Sequence, residues 1–110
     1  MPSEIRHLLF TPEEVTTALR NYCNRGGRPF PSNIKGYAIE GGPARPSVIL
    51  TATTSDGRDN SLSFGGEQLV APLLLFCNGK KIPLPLRGTK ELTILNQQLT
   101  LVVKLLASVS

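Results

Sequence analysis

Residues 8–31, LLFTPEEVTTALRNYCNRGGRPFP, align with residues 62–85, LSFGGEQLVAPLLLFCNGKKIPLP, at a constant shift of 54 positions and without a gap. Eight of the 24 aligned positions are identical, whereas ordinary residue usage gives about one or two by chance. The identical pairs are Leu8/Leu62, Phe10/Phe64, Glu13/Glu67, Leu19/Leu73, Cys23/Cys77, Asn24/Asn78, Pro29/Pro83 and Pro31/Pro85. The alignment predicts two copies of one structural unit, spanning about residues 5–54 and 59–106.

The centre of each copy has the pattern of an amphipathic helix. Thr11 can cap the first helix, Pro12 suits its first position, and Glu14 completes a capping box. Apolar residues then recur at helical spacing: Val15, Ala18, Leu19, Tyr22 and Cys23 in the first copy, and Leu69, Leu73, Phe76 and Cys77 in the second. We expect the first helix to stop before Gly26 and the second to begin after Gly65-Gly66, with a kink or a late start because of Pro72.

Alternation of apolar and polar residues predicts strands on both sides of each helix. The expected strands are residues 6–10, 34–40, 47–53, 60–64, 91–95 and 99–105. In the first of them Leu8 and Phe10 point into the core, and His7 and Leu9 point outward. The predicted fold is therefore α+β, a tandem duplication of a βαββ unit. It has about six strands and two helices in a mostly antiparallel sheet with pseudo-twofold symmetry.

Length and composition limit the class of protein. The chain has 110 residues, of which 40% are hydrophobic, so residues 1–110 form a single domain with enough apolar material for a core. The net charge of +4 is divided evenly between the two halves of the chain. Because no apolar run is long enough to span a bilayer and the N-terminus lacks the order of a signal peptide, we expect a cytoplasmic protein without membrane association.

Few residues suggest catalysis or metal binding. Cys23 and Cys77 fall in the last helical turns, where the helix dipole disfavours a thiolate, and as equivalent positions of a repeat they read as core residues. His7, the single histidine, is expected on the surface. Metal-ligand spacing and a phosphate-binding loop are both lacking in the sequence. We therefore predict no enzymatic activity, no metal and no cofactor. A Cys23 or Cys77 nucleophile is the enzymatic alternative.

Basic residues follow both helices. Arg25 and Arg28 lie in loop 25–28, and Lys80 and Lys81 lie at the same place in loop 79–81. Cations at a helix C-terminus complement the helix dipole, so these four have a structural explanation. The alternative is that the two related loops form one polyanion-binding face, as in a nucleic-acid-binding protein.

The outer faces of the two helices differ in polarity. The second helix has Val70, Ala71, Leu74 and Leu75 where the first has Thr16, Thr17, Arg20 and Asn21. A helix that is apolar all round is covered on both sides, either by its own chain or by another. The last predicted strand has apolar residues on both of its faces at some positions. It therefore forms a second surface that must be covered, by this chain or by another. The leading hypothesis is a non-enzymatic, self-associating binding or adaptor module, with a homodimer or a protein partner at Val70, Ala71, Leu74 and Leu75.

Overall fold

The computed structural model describes residues 4–82 and 88–105, with only the backbone of Leu105. These residues form six strands and two helices. In chain order they are β1 (Glu4–Phe10), α1 (Pro12–Arg25), β2 (Ile34–Glu40), β3 (Ser47–Thr53), β4 (Asp59–Phe64), α2 (Gly66–Gly79), β5 (Thr89–Leu95) and β6 (Gln98–Leu105). The predicted α+β class is confirmed. Pro83 and Pro85, which belong to two of the identical pairs, and the expected end of the second copy at residue 106 lie outside the described residues.

The strands form two sheets, and this corrects the prediction of one sheet. Sheet A has the order β1-β6-β5 and sheet B the order β2-β3-β4, and every pairing is antiparallel. Short connections at residues 54–58 and 96–97 hold β4 beside β3 and β6 beside β5, whereas β1, at the other edge of sheet A, pairs with β6 from the opposite end of the described chain. Each sheet therefore combines the hairpin of one predicted copy with the first strand of the other.

Helix α1 begins and ends as the sequence predicts. The Thr11 hydroxyl accepts a hydrogen bond from the Glu14 amide at 3.1 Å, and the Glu14 carboxylate accepts one from the Thr11 amide at 2.9 Å. At the other end the Arg28 amide donates to the Cys23 carbonyl at 2.8 Å and the Gly27 amide to that of Asn24 at 3.2 Å. These two bonds form a Schellman motif, which satisfies carbonyls that the last helical turn leaves free.

Helix α2 starts at Gly66 without delay, so the expected late start is wrong. The Gln68 side chain accepts a hydrogen bond from the Gly65 amide at 2.9 Å and thereby satisfies a donor at the helix start. The helix then runs through Pro72, which is buried. Burying the Pro72 ring offsets the backbone hydrogen bond that proline cannot donate to the preceding turn.

One apolar core joins the helices to both sheets. The two helices pack against each other, and side chains from the inner sheet faces fill the space beneath them. Phe10 of β1 meets Phe76 of α2 edge to face, with 6.2 Å between ring centroids. The inner face of sheet A adds Leu99, Leu101 and Val103, and that of sheet B adds Val48 and Leu50. Within the described residues, the helices are too short to span a bilayer.

Candidate functional site

Both cysteines are buried, free and inside the last turn of their helices. Cys77 has an exposed fraction of 0%. Burial raises the pKa of the Cys77 thiol, and the negative charge of Glu14 raises it further. A raised pKa keeps the thiol protonated near neutral pH, which is the opposite of what a nucleophile needs. The backbone carbonyls of both cysteines instead accept the closing hydrogen bonds of the two helix ends.

His7 is exposed on sheet A and belongs to the face that points away from the core. Cys77 lies in the core, on the other side of that sheet. The structure therefore does not bring the histidine and this thiol together. Across residues 4–82 and 88–105, no three His, Cys, Asp or Glu side chains are placed to hold a metal ion.

The basic loops are brought together in part. Arg25 and Lys80 line one groove of about 510 Å³ between the C-terminal halves of α1 and α2. Its other lining residues are Thr17, Ala18, Asn21, Asn24, Leu75, Phe76 and Gly79. Arg28 and Lys81 are exposed just beyond the helix ends and do not line the groove. The predicted polyanion-binding residues thus divide into two that share a groove and two that flank it.

The predicted interface on α2 is half-buried. Val70, Ala71, Leu74 and Leu75 all keep part of their surface in contact with solvent. Leu74 packs against the core, and Leu75 lines the groove between the helices. Val70 lines a larger cleft of about 950 Å³, bounded by residues 43–47, the start of α2 and strand β5. The chain itself therefore covers much of this apolar stripe, and its role in association stays a prediction.

More exposed apolar side chains lie on the outer face of sheet A. Ile5 is 58% exposed, and Leu9 and Leu95 are each 36% exposed. Leu9 and Thr93 both pair with Thr100, so alternation along β1, β5 and β6 places all three apolar residues on one side of the sheet. The sequence pattern indicated the outward direction of Leu9 but not that β1 and β5 flank the same strand.

The outer face of sheet B is polar at the matching positions. A shift of 54 residues relates Ile5 to Asp59 and Leu9 to Ser63, and both of these polar residues are exposed. Ser63 pairs with Ile49 in the same way that Leu9 pairs with Thr100. Each sheet thus has a similar outer framework, but the exposed apolar side chains are concentrated on sheet A.

A buried polar group lies at Tyr37. Its hydroxyl oxygen is buried and lacks a hydrogen-bond partner in the part of the chain that the structure describes. Burial raises the pKa of Tyr37 to about 12. The side chain packs against the core and borders a cavity of about 400 Å³ beside α1, so Tyr37 is a source of instability as well as a filler of the core.

The sequence matches no protein-family model and no curated protein, and no solved structure matches the fold.

Proposed function

We propose that the protein is a non-enzymatic binding module that associates with a second copy of itself through the outer face of sheet A. The observation that carries this proposal is that most of the exposed large hydrophobic side chains share one sheet face. Three of the four large hydrophobic residues that are exposed within the described chain, Ile5, Leu9 and Leu95, lie on this one face. Ile5 pairs with Lys104 at one end of β6, Leu9 with Thr100, and Leu95 with Gln98 at the other end, so the three side chains are spread along the face and a partner of matching length would cover all of them.

The size of the face suits a modest dimer. Sheet A is three strands wide, and its strands are seven or eight residues long. Its face therefore measures about 14 Å by about 24 Å. Two such faces stacked together cover about 700 Å² in total, the size of a weak association, and Thr100 and Val102 at the centre of each face are already buried. A twofold arrangement covers the same patch on both copies and leaves no apolar surface for further addition.

The chemistry of the remaining candidates supports a binding role. The buried Cys77 thiol has a raised pKa, and His7 lies on the opposite side of sheet A. Two free buried thiols also fit the reducing cytoplasm, the location that the sequence predicts. Glu91 and Lys104, 3.5 Å apart on the outer face, supply a polar pair within the proposed interface.

We also propose that the fold is an internal duplication with pseudo-twofold symmetry. Matching backbone hydrogen bonds support it: Arg28 to Cys23 and Ile82 to Cys77 differ by 54 positions at both donor and acceptor. Strand register supports it as well. Phe10 pairs with Leu99 in sheet A, and Phe64 pairs with Val48 in sheet B. On this proposal the two sheets are equivalent, and the apolar outer face of sheet A is a later specialisation for association.

Sedimentation equilibrium tests the proposed interface with residues borrowed from sheet B. The double variant Ile5→Asp, Leu9→Ser takes the side chains found at the matching positions 59 and 63. Full burial of each apolar side chain is worth about 1.5 kcal/mol, about half of which is available for the surface still exposed here. The twofold axis counts four such losses, about 3 kcal/mol in total, so we expect the dimer to weaken by roughly 100-fold. Ser63→Ala on sheet B is the matched control and leaves the mass unchanged.

A second variant separates this surface from the stripe on α2. Leu74→Arg takes the residue that α1 has at the matching position, Arg20. Because Leu74 packs against the core, we expect it to lower the stability of the fold and not to act first on the dimer. A parent that remains monomeric at about 100 µM overturns self-association. Dissociation by Leu74→Arg alone, with a cooperative fold, moves the interface to α2.

A further inference from the structure

The charges of the chain are segregated along both helices. Acidic residues occur in the first turns, at Glu13, Glu14 and Glu67. After these positions the sequence contains no acidic residue at 15–39 or at 68–90. The basic residues of these two stretches are Arg20, Arg25, Arg28, Lys35, Lys80, Lys81, Arg87 and Lys90. Each helix therefore starts with acidic residues, and basic residues lie at the end of α1 and directly after α2.

Helix packing brings the two basic ends to one groove. Arg25 and Lys80 are the charged residues among those that line it, and both are cations. Within the described residues neither forms an ion pair, and Lys80 lies 5.7 Å from the centroid of the Phe76 ring. Asn21 and Asn24 add side-chain amides to the same wall. The groove thus offers charged and neutral donors without a carboxylate in its lining.

The C-termini of the two helices do not cancel the positive charge of the groove. An open helix C-terminus carries a partial negative charge on its free carbonyl groups. Here the Tyr22, Cys23 and Asn24 carbonyls accept hydrogen bonds from residues 26–28, and α2 repeats the arrangement with residues 80–82. Because amides occupy these carbonyls, the cationic side chains determine what the groove attracts.

We propose that the groove between α1 and α2 binds the phosphate group of a nucleotide or of a nucleic-acid strand, independently of self-association through sheet A. The Arg25 guanidinium provides a planar pair of donors that matches two phosphate oxygens. The Lys80 ammonium supplies a second charge from the opposite helix, and Arg28 and Lys81 flank the groove for neighbouring phosphates. The phosphate backbone of a bound strand would then run along the basic residues at the ends of the two helices.

Fluorescence anisotropy with a short labelled oligothymidine, competed by adenosine monophosphate, tests the groove. The double variant Arg25→Gln, Lys80→Gln removes both cations from the lining. Arg45→Gln, Arg58→Gln is the control, because it removes the same net charge from exposed residues outside the groove. We expect the groove variant to weaken binding by about tenfold or more. The groove variant should also reduce the magnitude of the slope of log K against log salt by about 1.4, because it loses two contacts to the phosphates of a single strand.

The competition separates the two sources of the phosphate. Displacement of the oligothymidine by adenosine monophosphate shows that a single phosphate group fills the groove, and failure to displace it identifies the strand as the ligand. Both results support the proposal if the amide signals of Asn21, Asn24 and Gly79 shift on titration. The proposal is overturned if neither probe binds at about 20 mM salt, or if the groove variant and the control weaken binding equally.

Discussion

Gly27 and Lys81 have the same left-handed backbone conformation, with φ of 70° and 58°, at the second residue after the ends of α1 and α2. Their amides make matching hydrogen bonds, from Gly27 to the Asn24 carbonyl at 3.2 Å and from Lys81 to the Asn78 carbonyl at 3.1 Å. Glycine adopts this conformation without steric cost, whereas a side chain at the same φ crowds the backbone. The second helix end is therefore strained where the first is not.

Lys81→Gly should stabilise the protein. The substitution relieves the left-handed strain at the end of α2 but increases the freedom of the unfolded chain, and we expect a net gain of about 1 kcal/mol in the free energy of unfolding. Urea denaturation followed by circular dichroism measures the change.

Two substitutions control for charge and for position. Lys81→Ala removes the same charge but retains a Cβ at positive φ, so it should give no comparable gain. Gly27→Ala should lower stability by about 1 kcal/mol, although a Cβ there would meet no atom within 4 Å, because the cost lies in the backbone. Equal gains from Lys81→Gly and Lys81→Ala would show that charge at the helix end, and not backbone strain, sets the effect.

Local signals predicted the helices well. Thr11, Pro12 and Glu14 specify the start of α1 within one turn, and the capping bonds form as expected. The late start expected from Pro72 does not occur, because proline propensity reports the isolated helix, whereas Pro72 is buried in the folded protein. The division into two sheets was missed because strand pairing depends on which edges the whole chain leaves free, and a repeat pattern does not report this.

The candidate site was predicted in its residue types more than in its geometry. The sequence placed Arg25 and Lys80 in related loops, but only helix packing shows that they share a groove. The sequence favoured the α2 stripe as an interface because its apolar residues lie within a single helix. The exposed residues of sheet A come from β1 and β5, which are far apart in the chain and are brought together by β6.

The two cysteines should behave as core residues of unequal depth. Cys23→Ala and Cys77→Ala should each lower stability by about 1 kcal/mol, with the larger loss at Cys77 because its exposed fraction is 0% against 9% for Cys23. In Cys23→Ala the remaining Cys77 thiol should react with a disulfide reagent at neutral pH far more slowly than in the unfolded chain, since burial raises its pKa. Fast modification of Cys77 in the folded variant would contradict its assignment as an inert thiol.

Tyr37→Phe should stabilise the protein at neutral pH and more strongly in alkali. At neutral pH the variant removes a buried hydroxyl that has no partner within the described residues, a gain of about 1 kcal/mol in the free energy of unfolding.

The pKa of Tyr37 is raised from 10 to about 12 by burial, so the folded state holds this proton more tightly than the unfolded chain. The stability linked to that proton is complete below pH 10 and is lost as the pH rises from 10 towards about 12. Urea denaturation across this range should therefore show an increasing advantage of Tyr37→Phe over the parent. A constant difference between Tyr37→Phe and the parent from neutral pH to about pH 12 would show that the Tyr37 hydroxyl reaches water in the folded protein.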